Sequence, residues 1–168
     1  VIAAREALAR ERGLTAFHKA LGGALRNRKL MNQGAVMAAL LGPIFFQKVP
    51  AASGLRLRFP LPFIDDRRHI PRIARQPFLE RHPEVIAGLS DKPRVLYFVG
   101  CMSNFVYTGI GEAALALLRH LGCTVIIPKE QQCCGLPGMS GGDLDTLRYL
   151  AEKNLVALEK YEADYIMT

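Results

Sequence analysis

Cys133 and Cys134 stand side by side before Gly135, and 31 residues separate Cys101 from Cys133. Thiolates are soft donors that select Zn, Cu(I) or iron-sulfur clusters. Neighbouring cysteines pair poorly with each other, because a disulfide wants Cα atoms about 5.5 Å apart and adjacent residues close a strained small ring. A cluster with several irons accepts adjacent ligands more readily than one tetrahedral ion does, so an iron-sulfur cluster leads and a structural Zn site follows. Three cysteines do not close a four-ligand Zn site unless Cys123 or a histidine joins them. His120 is nearest in sequence, while His18, His69 and His82 show no ligand spacing. Free cysteine also serves as a small buried hydrophobe. That reading suits Cys123, which precedes Val125-Ile126-Ile127, better than the pair, whose loop at residues 130–138 is polar and Gly-rich.

The elements around the thiols read as alternating strands and helices. Arg94-Val95-Leu96-Tyr97-Phe98-Val99-Gly100 is a short apolar run after Pro93, as expected of a buried strand, with Cys101 at its carboxyl end. Ile110, Ala113, Ala114, Leu117, Leu118 and Leu121 predict a helix closed by Gly122. Residues 124–127 predict a second strand. Asp143 reads as the N-cap of a helix presenting Leu144, Leu147, Ala151, Leu155 and Leu158, and residues 165–168 predict a third strand. The fold class expected is α/β, a βαβαβ unit whose right-handed crossovers make the strands parallel. Open sheets of this kind bind ligands beyond the carboxyl ends of their strands, where Cys101, Cys133 and Cys134 converge. The turn at residues 100–109 lacks Gly-x-Gly-x-x-Gly, which argues against a dinucleotide there.

The first half has another character. Helical spacing runs through Leu8, Ala9 and Arg12 to Gly13, then through Phe17, Ala20, Leu21, Ala24 and Leu25, and over residues 30–46, with Gly22-Gly23 and Gly42-Pro43 read as kinks or ends. Prolines at 50, 60, 62, 71, 77 and 83 mark residues 49–93 as a linker that wraps the core rather than joining it. The expected division is therefore a helical segment at 1–48, a proline- and arginine-rich linker at 49–93 and a cysteine-rich unit at 94–168. Phe45, Phe46, Phe59 and Phe63 read as packing residues. Arg56, Arg58, Arg67, Arg68, Arg72 and Arg75 read mainly as solvated surface.

The net charge of +7 is uneven: residues 1–93 hold 16 Lys/Arg against 7 Asp/Glu, and residues 94–168 hold 6 against 8. This points to a solvated face or an acidic partner subunit for the first half, with an anionic membrane surface as a further alternative, and no recognition motif supports nucleic acid. The longest apolar stretch, residues 34–46, falls short of the about 20 residues a membrane span needs. Four cysteines without a secretory leader fit a reducing, cytoplasmic setting, and a start at Val1 is expected of a fragment.

Cys101, the 31-residue interval, Cys133-Cys134-Gly135 and the flanking Phe98-Val99-Gly100-Cys101-Met102, Pro128-Lys129-Glu130-Gln131 and Gly141-Gly142-Asp143 resemble the cysteine-rich CCG domain over roughly residues 77 to 168. That domain occurs in glycolate or lactate oxidase iron-sulfur subunits and in heterodisulfide reductase subunits B and D. The resemblance implies that Cys101, Cys133 and Cys134 ligate an iron-sulfur cluster of 4Fe-4S type, with Gly135, and also Gly138, letting the backbone turn closely around it. It implies an electron-transfer subunit of a flavin-dependent 2-hydroxyacid oxidoreductase, with FAD on a partner flavoprotein. The alternatives it leaves are a heterodisulfide reductase-type subunit that cleaves a disulfide at its cluster, or a structural Zn module. The family pattern continues with Cys-x-x-Cys about 35 residues after Cys-Cys-Gly, where this sequence stops at Thr168, so an incomplete first CCG domain is expected. The resemblance further implies a ferredoxin-like domain before residue 1 and a second CCG repeat after residue 168.

Overall fold

A computed structural model describes residues 1–49, 54–59 and 69–168. Arg67, Arg68, Phe63 and the prolines at 50, 60 and 62 lie outside the described residues. The second half is the α/β unit that the apolar runs predict. Strands β4 (Arg94–Tyr97), β5 (Thr124–Ile126) and β6 (Tyr165–Met167) are parallel and alternate with helices α6 (Thr108–His120) and α8 (Leu144–Leu158). The order is β5-β4-β6 with β4 in the middle, so the two crossovers place α6 and α8 on opposite faces. Alternation along the strands follows: Val95, Tyr97, Val125 and Ile127 pack with Leu115 and Leu118 of α6, while Leu96 and Ile126 are buried on the other side.

Three features lie beyond the sequence pattern. A fourth strand, β3 (Val85–Ile86), adds antiparallel to β5. The short helix α4 (Phe78–Arg81), flanked by Pro77 and His82, puts Phe78 and Leu79 in the core. The proline-bearing stretch expected to wrap the core thus enters it here, because Phe78 fills the space over Gly111. A Cβ on Gly111 would lie 2.9 Å from Phe78 Cδ2. The strand-to-helix turns hold six-residue helices, α5 (Gly100–Phe105) and α7 (Leu136–Gly141).

The buried faces of the long helices also differ from the expected stripes. On α6 they are Gly111, Leu115 and Leu118, with Ile110, Leu117 and Leu121 exposed. On α8 they are Thr146, Leu150, Asn154 and Ala157, with Leu155 and Val156 exposed. Both helices are apolar on more than one side, so periodicity alone does not choose the face. Asp143 caps α8 as expected, its side chain accepting from Thr146 N at 3.0 Å.

In the first half, α1 (Ile2–Arg12), α2 (Ala16–Arg26) and α3 (Arg28–Phe45) are followed by a small hairpin of β1 (Phe46–Lys48) and β2 (Leu55–Leu57). Phe45 and Phe59 meet edge to face at 6.4 Å. Gly22-Gly23 and Gly42-Pro43 do not end their helices. Gly22 is a point of close approach, where a Cβ would lie 2.6 Å from Asp143 Oδ2 and 2.9 Å from Thr146 Oγ1. Gly141 and Gly142 receive the same helices from the other side, against His18 and the Arg5 carbonyl. Arg5 Nη1 donates to Ser140 O at 2.6 Å, and Arg26 Nε donates to Thr146 Oγ1 at 3.0 Å. No helix among the described residues is long and apolar enough to cross a membrane.

The assigned face of α6 is tested by a pair of truncations. Leu118→Ala, at an 8% exposed position, is expected to cost about 2–5 kcal/mol in urea unfolding. Leu117→Ala, at a 59% exposed position, is expected to stay within about 0.5 kcal/mol of the parent. Equal losses would show that the helix is rotated from the face described.

Candidate metal centre

Cys101 occupies the second position of α5, just past the central strand β4. Gly100, at φ 69°, makes the left-handed turn that converts strand into helix. The turn places Cys101 half-buried at the carboxyl edge of the sheet, where the crossovers that leave β4 and β5 run to opposite faces and open a crevice. Asn104 of the same helix accepts from Leu79 N at 2.9 Å and so fixes α5 to α4.

Cys133 and Cys134 follow β5 through a loop held by two buried carboxamides. Gln131, 4% exposed, accepts from Val99 N at 2.7 Å and donates to Pro128 O at 2.9 Å, which ties the Cys101 turn to the Cys133 loop. Asn154 of α8, 8% exposed, accepts from Gln132 N at 2.7 Å and donates to Cys133 O at 3.1 Å. Gly135 is in the left-handed region at φ 84°, and a Cβ there would lie 2.8 Å from Leu147 Cδ1. Its backbone therefore turns tightly against α8, a reason for glycine that differs from closeness to a bound group.

Below this loop, Glu84 accepts from Lys129 N at 2.9 Å and from Tyr161 Oη at 2.6 Å. The Lys129 ammonium donates to the Leu79 and His82 carbonyls at the end of α4. The two bonds to Glu84 hold its carboxyl below the usual range, and the bond to Glu84 together with burial pushes the Tyr161 phenol up to about 12.

The thiols communicate. The Cys133 thiol, hydrogen-bonded to the Cys101 sulfur, pulls Cys101 down to about 7, against burial and the charge of Cys134; amides of Cys101 and Met102 act in the same direction as Cys133. Cys133 is pushed up by the same bond and by its burial, so the pair holds one proton firmly and releases the other near neutrality. Cys134 is exposed. Cys123 is in the hydrophobic core between α6 and β5, as its apolar surroundings predict. His120 is exposed, His82 bonds Glu112, and His18 bonds Thr15.

Helices α2 and α3 close the site from outside the βαβαβ unit. Leu25, Cys133 and Leu150 form one buried cluster, with Leu21, Met31, Cys101 and Tyr149 packed around it. A cavity between them is walled by Arg28 and Asn32 on one side and by Cys101, Asn104, Gln131 and Gln132 on the other. Gln132 is part of this wall, and its buried Oε1 has no hydrogen-bond partner. The donors fit a soft metal group. Among the described residues, no three His, Cys, Asp or Glu side chains are grouped to hold a single metal ion.

Sequence reasoning found the cysteines but not Asn154, Gln131 as a bridge, or the cap formed by Leu25, Arg28 and Met31. The available signal was Asn154 itself: a weak helix former four residues after Leu150, where periodicity wants an apolar side chain. Asn154→Ala is expected to cost about 1–3 kcal/mol by leaving Gln132 N and Cys133 O without their partner, and to speed alkylation of Cys133 in the folded chain. Unchanged stability and alkylation would show that the clamp is idle.

The Glu84 network gives a pH dependence. Because the folded carboxyl is depressed, its contribution is complete above the ordinary glutamate range of about 4.3 and is lost as pH falls through the lower folded value. Denaturation of Glu84→Gln and parent chains should differ at neutral pH and converge in acid; a gap that widens in acid would contradict this.

Comparison with known proteins agrees with this geometry. Residues 95–168 match the CCG cysteine-rich domain family. An uncharacterized iron-sulfur protein of Methanocaldococcus jannaschii is 35% identical over 92 residues, 55% of this chain and 19% of that one. Lactate utilization protein A of an Exiguobacterium species is 37% identical over 75 residues, 45% of this chain and 31% of that one. The probable glycolate oxidase iron-sulfur subunit of Bacillus subtilis is 30% identical over 100 residues, 59% of this chain and 22% of that one. The chain thus spans 19% to 31% of the length of these relatives. No solved structure matches. Residues 95–168 are thus similar to the cysteine-rich CCG domain, and the same stretch is similar to proteins named as iron-sulfur proteins.

Proposed function

We propose that Cys101, Cys133 and Cys134 are ligands of an iron-sulfur cluster, of 4Fe-4S type, in the electron-transfer subunit of a flavin-dependent 2-hydroxyacid oxidoreductase. The observation that carries the reading is the meeting of thiols from the ends of two adjacent parallel strands, in a stretch that matches the CCG domain. The relatives named for lactate utilization and glycolate oxidation support the substrate class. A bound cluster would supply one-electron storage at the carboxyl edge of the sheet. The chain's own part is to present thiolates, exclude water with Leu25 and Met31, and hold both loops through Gln131 and Asn154. Gly135, with Gly138 behind it, positions the Cys133-Cys134 loop. FAD belongs on a partner flavoprotein, which the basic residues of the first half contact on the cytoplasmic side.

The test is anaerobic reconstitution with iron and sulfide of the full-length polypeptide that carries this sequence. Iron and labile sulfide should bind together, give an EPR signal in one redox state, and fall by one cluster's content in Cys133→Ser and Cys101→Ser. Zn retained without iron, or iron unaffected by either substitution, would overturn the reading.

A further inference from the structure

Arg28 is the first residue of α3, half-buried, and lines the thiol cavity. Its neighbour Arg26 is used in docking, bonded to Thr146 and lying 5.1 Å from the centre of the Tyr149 ring. Arg28 has no such employment. Among the described residues no carboxylate stands within ion-pair distance of it, and it acts as a like charge on Lys129, which Glu84 and Glu80 also face. A partly desolvated cation without a counter-ion is costly, and the groups across the cavity able to carry negative charge are the thiols of Cys101 and Cys133.

We propose that Arg28, carried by a helix outside the βαβαβ unit, is the counter-charge of the thiolate centre and raises the reduction potential of the group bound there. The inference rests on the iron-sulfur reading for the potential, but not for the placement of the charge. Each electron added makes the centre more negative, and a fixed cation across a water-poor cavity favours that reduced form. Leu25 and Met31, packed on the same thiols, keep bulk solvent from screening the interaction. Arg28 acts on the ligands without joining them, which makes it a positioning residue.

Two readouts separate this inference from the cluster assignment. In the metal-free full-length chain, alkylation of Cys101 is followed at one pH with anionic iodoacetate and neutral iodoacetamide. The iodoacetate-to-iodoacetamide rate ratio should fall several-fold in Arg28→Gln and stay near the parent value in Arg28→Lys. In the reconstituted chain, the midpoint potential should be more negative in Arg28→Gln than in the parent, with Arg28→Lys close to the parent and iron content equal in all three. A ratio or a potential that is the same in Arg28→Gln and parent overturns the proposal. A ratio that falls in a chain that binds no iron supports the charge placement and defeats the iron-sulfur reading instead.

Discussion

The hydrogen bond from Val99 N to Gln131 Oε1, 2.7 Å long and buried, is the contact on which the site depends. Cys101 and Cys133 follow adjacent parallel strands whose carboxyl ends lie side by side, and the loops beyond those ends still have to be tied to each other. Gln131 ties them by accepting from the end of β4 while donating to the carbonyl at the end of β5. Asn154 repeats the device one layer out, holding Gln132 and Cys133 to α8. Carboxamides suit this task because each offers both a donor and an acceptor without bringing charge. A carboxylate in either place would repel the thiolates it positions, and an apolar side chain would leave backbone groups buried and unpaired.

The order of strands and helices was legible because the apolar runs, the Asp143 cap and the Gly122 stop all mark local events. The faces of the helices were not. Leu117 and Leu121 on α6 and Leu155 on α8 are apolar yet exposed, and the inward positions include Gly111, Thr146 and Asn154. Those residues are inside for tertiary reasons: room for the Phe78 ring, a bond to Arg26, and the clamp on the cysteine loop. Helices α5 and α7 are too short to show a period, and β3 is two residues long. Of the site, the thiols were legible from type and spacing. The φ and the close contact of Gly135 with Leu147 emerge only once α8 is in place.

The two halves are also more interdependent than their compositions suggest. Gly22 admits Asp143 and Thr146, while Gly141 and Gly142 admit His18 and the α1 backbone, so small residues on both sides let the helices approach closely. The result is that the centre has a floor from the βαβαβ unit and a lid from α2 and α3. The lid contributes apolar cover and a cation, the two properties that the polar, glycine-rich loops of the domain lack.

Iron anomalous diffraction from crystals of the anaerobically reconstituted protein tests the central claim most directly. The account predicts a compact multi-iron peak bounded by the sulfurs of Cys101, Cys133 and Cys134 and facing Arg28. No iron at these sulfurs, or a single metal ion held there with Cys123 or a histidine, would contradict it.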